Sequence, residues 1–238
     1  MDRKVTLITG VSRGIGRQIA VECARAGHPV FVNFVKSRDT AEDLVAVISR
    51  EGGQAIAVQG DVSIEVDAAR IVAATLDRFG CIDCLINNAG VGDRISLEDL
   101  TSETFDRVLQ LNLTSAFMVS QAAIPRMMEK GGRLIFMSSG AARTGGIISA
   151  AYAASKARNG RADGLLGDIS AETSHHCECH APSLISTDMI DRATAHSADG
   201  LPLGRFGRPD EIWPAVRIME TKYLTGQTIH IDAGRYMT

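Results

Sequence analysis

Val5-Thr6-Leu7-Ile8-Thr9-Gly10-Val11-Ser12-Arg13-Gly14-Ile15-Gly16 is the stretch that decides the fold. A short apolar run meets glycines at 10, 14 and 16. Ile15, Ile19, Ala20, Cys23 and Ala26 then recur at helical spacing until Gly27 ends the pattern. A strand that enters a helix through such a turn lets the backbone approach an anion closely, with the free N–H groups of the helix start facing it. Gly10, Ser12, Arg13, Gly14, Ile15 and Gly16 are therefore candidates for cradling a dinucleotide pyrophosphate. The spacing is not the general GxGxxG fingerprint, so a turn that serves only chain reversal stays open.

Outward from this turn the element type alternates. Residues 29–35 read as a second strand and 40–50 as a helix stopped by Gly52-Gly53. Residues 55–58 read as a third strand, and 64–79 as a helix stopped by Gly80. A fourth strand over 82–86, one long helix over 102–128 and a fifth strand over 133–137 follow. Val- and Ile-rich strands separated by helical segments predict stacked βαβ units. Right-handed crossovers then place helices on both faces. With no repeat and no linker-like segment, the expected fold is α/β: a single-domain Rossmann-like doubly wound parallel sheet spanning 1–238. In such sheets a ligand sits beyond the carboxyl ends of the strands, where the strand order reverses.

Composition narrows the function classes. The 238 residues are 45% hydrophobic and 22% charged, which opposes disorder, and a net charge of −3 without any basic run offers nothing to nucleic acid or an anionic membrane. The amino terminus lacks the apolar core of a signal peptide, and no apolar run reaches the roughly 18 residues of a membrane span. Five cysteines, an odd number, do not suggest a disulfide framework. The expectation is a reduced, cytoplasmic protein with no nucleic-acid or membrane partner.

Chemistry collects after the strands. An acid at the end of the second strand would select NAD through its ribose. Here Asn33, Lys36 and Arg38 stand there, with Arg13 in the turn, so a 2′-phosphate would meet cations and the expected cofactor is NADP(H). Lys36 and Arg38 as solvated loop charges is the other reading. After the fifth strand come Ser138-Ser139, and then Tyr152 and Lys156 four apart, sharing a helix face. A free phenol with a pKa near 10 exchanges protons poorly at neutral pH, and a neighbouring ammonium brings it towards the working range. Tyr-xxx-Lys alone arises by chance. Its conjunction with a strand-end serine and an upstream cradle is specific.

These motifs, together with Asp61-Val62, Asn87-Asn88-Ala89-Gly90, Asn112 and the run from Pro182 to Thr187, resemble the short-chain dehydrogenase/reductase family over nearly the whole chain. The resemblance implies that Tyr152 is the proton donor in ketone reduction and that Ser139, thirteen residues before it, holds the substrate oxygen. It implies that Lys156 binds the nicotinamide ribose and lowers the tyrosine's pKa, and that Asn112 supports a water linking Lys156 to solvent. Asp61 and Val62 would contact the adenine, Asn88, Ala89 and Gly90 would wall the cofactor, Ile185 and Thr187 would flank the nicotinamide, and Pro182 is a further cofactor contact. Residues 202–209 and 225–234 resemble those of the beta-ketoacyl-acyl-carrier-protein reductases. The implied substrate is thus a small carbonyl compound or a 3-oxoacyl thioester, possibly carried on acyl carrier protein, and the implied assembly is a homo-oligomer, dimer or tetramer. A dehydrogenase of another ketone or alcohol, or a catalytically weak dinucleotide-binding sensor or scaffold, are the alternatives.

Several segments depart from that pattern. Gly160, Gly164 and Gly167, with Arg161 and Asp163, weaken the helix expected after Lys156, at about 1 kcal/mol per interior glycine, and with it the usual tetramer. His175-His176-Cys177-Glu178-Cys179-His180 falls where a buried sixth strand is expected. Alternation would turn His175, Cys177 and Cys179 to one face and His176, Glu178 and His180 to the other. Zinc is the functional possibility there, but only three ligands converge from one strand, so a structural strand and no metal are expected. Ser183 and Ala233 replace family glycines, the substrate loop over 188–201 looks short, and Pro214 interrupts the link from Trp213 to Tyr223.

Overall fold

Seven strands form one parallel sheet in the order β3-β2-β1-β4-β5-β6-β7. They are β1 (Thr6–Ile8), β2 (Val30–Phe34), β3 (Ala55–Gln59), β4 (Cys84–Asn87), β5 (Gly132–Met137), β6 (His175–Pro182) and β7 (Thr228–Ile231). The computed structural model describes residues 3–127, 131–159, 175–193, 198–199, 201–213, 217, 220–221 and 223–236. Among them the helices are α1 (Gly14–Arg25), α2 (Arg38–Arg50), α3 (Glu65–Phe79), α4 (Ser102–Leu109), α5 (Ser115–Met127), α6 (Ala141–Thr144), α7 (Ala150–Asn159) and α8 (Asp188–Ala193).

Alternating side chains explain the layers. Ile8, Val32, Ile86 and Ile135 pack against Ile19 and Cys23 of α1 and Leu44 and Ile48 of α2. Leu7, Phe31, Leu85, Leu134 and Phe136 pack on the other face against α3 and α5. The central strands are buried on both faces and therefore read as continuous apolar runs. Each fully buried side chain of this size contributes roughly 1.5–3 kcal/mol. The chain runs outward from β1 to β2 and β3, then returns to β4 on the far side of β1, so the switch point lies between β1 and β4. Among the described residues, no helix is long and apolar enough to cross a membrane.

One expectation changes and another holds. The single helix over 102–128 is α4 and α5 joined by a π-helical turn, Gln110–Thr114. The wider turn carries Asn112 inward, where its Oδ1 accepts from the Val91 N–H (2.7 Å) and its Nδ2 donates to the Val91 carbonyl (2.9 Å). The 175–180 segment is a regular inner strand that extends to Pro182. Cys177 and Cys179 enter the α3/α5 core, and Glu178 pairs with Arg133 of β5 on the other face (2.6 Å). The glycine-rich stretch after Asn159 lies outside the described residues.

Candidate active site

A cleft of about 1080 Å³ opens over the carboxyl ends of the strands, at the upper end of the usual range for ligand sites. Its first wall is the glycine turn. Gly10 and Gly14 have φ of 69° and 59°, and a Cβ on Gly10 would stand 2.7 Å from the Ala89 Cα. The β4 end locks this turn: Asn88 Nδ2 donates to the carbonyls of Thr9 (3.0 Å) and Gly10 (2.8 Å), and the Asn88 and Ala89 N–H groups donate to Thr9 Oγ1. α1 has no capping side chain and no acid in its first turn, so its N–H groups and positive end are left for an anion. The residues present therefore fit a dinucleotide pyrophosphate.

Ser12, Arg13, Ile15, Gly16, Asn33, Lys36, Asp61, Val62, Gly90, Pro182, Ile185 and Thr187 all line the same cleft, as the sequence predicts for cofactor contacts. Arg38 does not. Its guanidinium donates to Glu42 (3.3 Å) and Gln59 (3.2 Å) and lies 5.8 Å over the Phe34 ring, because it opens α2 on the side turned to β3. Asn33 is buried and ties β2 to the Gly60 carbonyl (2.8 Å). Arg13 reaches across the cleft to Asp188 (3.3 Å). Ser37 and Thr40, which sequence reasoning passed over, line the cleft beside Lys36. Their signal is the start of α2, two residues earlier than the apolar spacing indicates.

The chemistry-bearing side chains lie on the floor. Ser139 follows β5, and its Oγ accepts from the Ala141 N–H (3.2 Å). The Tyr152 phenol, buried on α7, lies close enough to Ser139 for that side chain to act on its protonation. One turn on, Lys156 Nζ donates to the Met137 carbonyl (2.8 Å) and lies 5.8 Å from the Tyr152 ring centre. Ser138 is not at the reacting surface: its hydroxyl donates to the Lys156 carbonyl (2.7 Å) and braces α7 against β5.

Burial pushes the Tyr152 pKa up, and the neighbouring Ser139 only partly offsets this. The expectation of a phenol drawn down by the ammonium is therefore not met here. Burial lowers Lys156 itself to about 8. Cys179, close enough to act on Lys156, is pushed up to about 12 by burial and stays a neutral thiol. Asn112 lies beneath the cleft rather than on its wall. Its amide is committed to Val91 and to Ser155 Oγ (3.0 Å), and its backbone carbonyl accepts from Asn159 (2.9 Å).

Sequence reasoning missed the far wall. Ile147, Ile148, Met189 and Ile190, with Arg235 and Tyr236 from beyond β7, complete the cleft beside Ser139 and Tyr152. They come from three separate segments that only the topology unites. Among the described residues, no group of three His, Cys, Asp or Glu could hold a metal ion.

A doubly wound sheet with an anion cradle at its switch point, and a serine, tyrosine and lysine gathered beyond it, defines a dinucleotide-binding oxidoreductase. The comparisons make the family specific: residues 4–198 match the model for short chain dehydrogenase, so the chain belongs to the short-chain dehydrogenase family. It is 35% identical over 246 residues to a 3-oxoacyl-(acyl-carrier-protein) reductase of Synechocystis sp., covering 98% of this chain and 97% of the relative. A reductase of the same description from Staphylococcus aureus is 33% identical over 245 residues, covering 98% of each. Among solved structures, an NADH-dependent reductase, A1-R′, responsible for alginate metabolism superposes with a TM-score of 0.89 at 30% identity, covering 100% of this chain and 98% of that one. A 7α-hydroxysteroid dehydrogenase complexed with NADH and 7-oxo glycochenodeoxycholic acid gives 0.91 at 29% identity, covering 98% and 94%. The family binds a nicotinamide dinucleotide.

Proposed function

We propose that this chain reduces a ketone to an alcohol with NADP(H), and that the ketone is a 3-oxoacyl thioester delivered on acyl carrier protein. The observation that carries the reaction class is the gathering of Ser139, Tyr152 and Lys156 on the floor of one cleft whose other end is an anion cradle. The substrate class is supported by the two 3-oxoacyl reductases matched over almost their whole length.

The reduced nicotinamide, when bound, supplies a hydride to the carbonyl carbon. Ser139 holds the carbonyl oxygen through its hydroxyl. Tyr152, kept protonated by burial, gives that oxygen its proton. Lys156, fixed by the Met137 carbonyl, presents its ammonium to the cofactor ribose. The floor lies on β5 and α7, so alignment is set by regular elements rather than by loops.

The NADP(H) preference rests on Arg13 and Lys36 in the cleft wall and on the absence of an acid among the described lining residues between 33 and 40. A second reading, NADH, is favoured by the engagement of Arg13 with Asp188. Both solved neighbours carry NADH in their descriptions. Oxidation of NADPH and NADH, followed with an acetoacetyl thioester, tests both points. The expected result is turnover with kcat/KM higher for NADPH. Equal values remove the argument from Arg13 and Lys36, and dinucleotide binding without turnover of any ketone favours the sensor or scaffold reading.

A further inference from the structure

The turn after β7 is fastened beside the reacting groups. The Asp232 carboxylate accepts from the N–H groups of Gly234 (2.9 Å) and Tyr236 (3.2 Å), and the Asp232 carbonyl accepts from the Arg235 N–H (3.0 Å). Arg143 of α6 donates to the Tyr236 carbonyl (3.1 Å). The Tyr236 ring rests on Gly140, next to Ser139, so closely that a Cβ there would stand 3.0 Å from it. These contacts bring the exposed Arg235 guanidinium to the wall of the cleft on the Ser139 side, 5.1 Å from the Tyr236 ring centre.

The same cleft carries Ile147, Ile148 and Met189 on its wall, and Ile148 and Met189 pack with Tyr152. Asp188, an acid among the lining residues, is engaged by Arg13. Among the described residues neither Arg235 nor Arg143 forms an ion pair. A cation held by its backbone at the rim of an apolar pocket is complementary to an anionic oxygen group at the end of an apolar substrate. The turn that carries it leans on Gly140 after β5, whereas the cradle for the dinucleotide phosphates is built by the glycine turn after β1.

We propose that Arg235 is a specificity-determining residue that selects carbonyl substrates bearing an anionic group, a carboxylate or a phosphate, and holds that group at the rim while Ser139 and Tyr152 engage the carbonyl. This rests on the carbonyl-reducing reading given above. A terminal carboxylate and the phosphate of a pantetheine arm share the recognising chemistry. Two matched substrate pairs separate them: levulinate against its ethyl ester, and an acetoacetyl-phosphopantetheine thioester against the uncharged acetoacetyl-N-acetylcysteamine thioester.

The test compares wild type, Arg235→Met and Arg235→Lys on both pairs. In the pair that matches the natural ligand, Arg235→Met is expected to raise KM for the anionic member by about fivefold to tenfold, as for a partly exposed charge-assisted bond, with kcat held. KM for the neutral member stays within about twofold, and Arg235→Lys recovers part of the loss. A KM shift common to anionic and neutral members, or no shift in either pair, overturns the assignment. If wild type reduces none of the four compounds, it is the reductase reading that fails. Calorimetric binding of levulinate and its ethyl ester to the dinucleotide-loaded protein then decides the anion site. A preference for the acid that Arg235→Met abolishes supports it, and equal binding sinks it.

Discussion

Tyr152 carries the sharpest test at the scale of one residue. Its hydroxyl acts when the carbonyl oxygen takes up charge, so Tyr152→Phe should cost at least about a hundredfold in kcat, within the usual range for losing a positioned acid, and leave dinucleotide affinity nearly unchanged. Fluorescence titration and steady-state rates together check this, and a variant that keeps most of its turnover removes the role. The pH dependence follows from burial. A phenol raised above its ordinary value stays protonated through neutrality and remains a proton donor for reduction. Lys156, lowered to about 8, loses its charge above that point. Reductive kcat/KM should therefore be level below about pH 8 and fall above it, while alcohol oxidation, which needs the phenolate, rises with pH. A reductive rate that climbs through pH 8 contradicts both assignments. Tyr152 and Lys156 were legible because four residues make one helical turn wherever the helix lies. Arg235 and Tyr236 were not, because nothing local in the sequence announces which wall a turn after the last strand will reach. Ala233 lies between these cases. Missing a family glycine, it was suspect in the sequence, and the backbone there has φ of 57°. A left-handed residue bearing a Cβ costs about 1–2 kcal/mol, part of which glycine returns as unfolded-chain entropy, so Ala233→Gly should stabilise the chain by about 0.5–1 kcal/mol. Denaturant unfolding checks it; an unchanged or lower midpoint contradicts it.

At the scale of the element, β6 shows how a polar sequence becomes an inner strand. Its parallel register with β5 sets His176 against Arg133 and Glu178 against Ile135, so the Arg133 guanidinium reaches the Glu178 carboxylate on the same face. Arg133 also donates to the carbonyls of Thr221 (2.7 Å) and Leu224 (3.4 Å) before β7. The histidines could be read as ligands in the sequence because register with a neighbouring strand is invisible there. The Arg133–Glu178 pair could not be read at all, since its members are 45 residues apart. Similarly, the apolar spacing of 102–128 continues through the π-helical turn, so one long helix was the natural reading. Above about pH 7, where Glu178 is ionised, removing the buried guanidinium leaves a carboxylate without its counter-charge, and Arg133→Met should there cost about 3–5 kcal/mol. Glu178 tests the same pair through pH. Burial raises it to about 7 despite Arg133, so the folded chain holds a proton there that the unfolded chain, near 4.5, has released. The contribution of this group to stability is therefore fully present below 4.5 and lost as pH rises through about 7. Glu178→Gln, which cannot ionise, should gain on wild type across that window in denaturant unfolding. A gain that instead appears as pH falls reverses the sign and removes the account.

At the scale of the whole molecule, alternation of strands and helices and the position of the glycine turn were enough to reach the parallel sheet and its switch point. Each crossover is local in sequence, and its handedness is fixed by chirality. The cleft over that switch point draws on both halves of the sheet: Gly10 to Thr40 from one side, Ser139 to Tyr236 from the other. A dinucleotide that spans it contacts both halves at once, and it binds the folded chain without binding the unfolded one. Ligand present at a hundred times its dissociation constant should then stabilise the fold by about 2.7 kcal/mol. For a chain of 238 residues, at about 2–4 °C per kcal/mol, the Tm should rise by roughly 5–11 °C. NADPH should give the larger rise at equal concentration if Lys36 and Arg13 meet a 2′-phosphate. The difference should shrink in Lys36→Ala and with added salt, because exposed cations are screened. Differential scanning calorimetry with each dinucleotide reads all of this without a substrate. A larger rise with NADH would place Arg13 with Asp188 in the bound state as well and assign the cleft to the unphosphorylated cofactor.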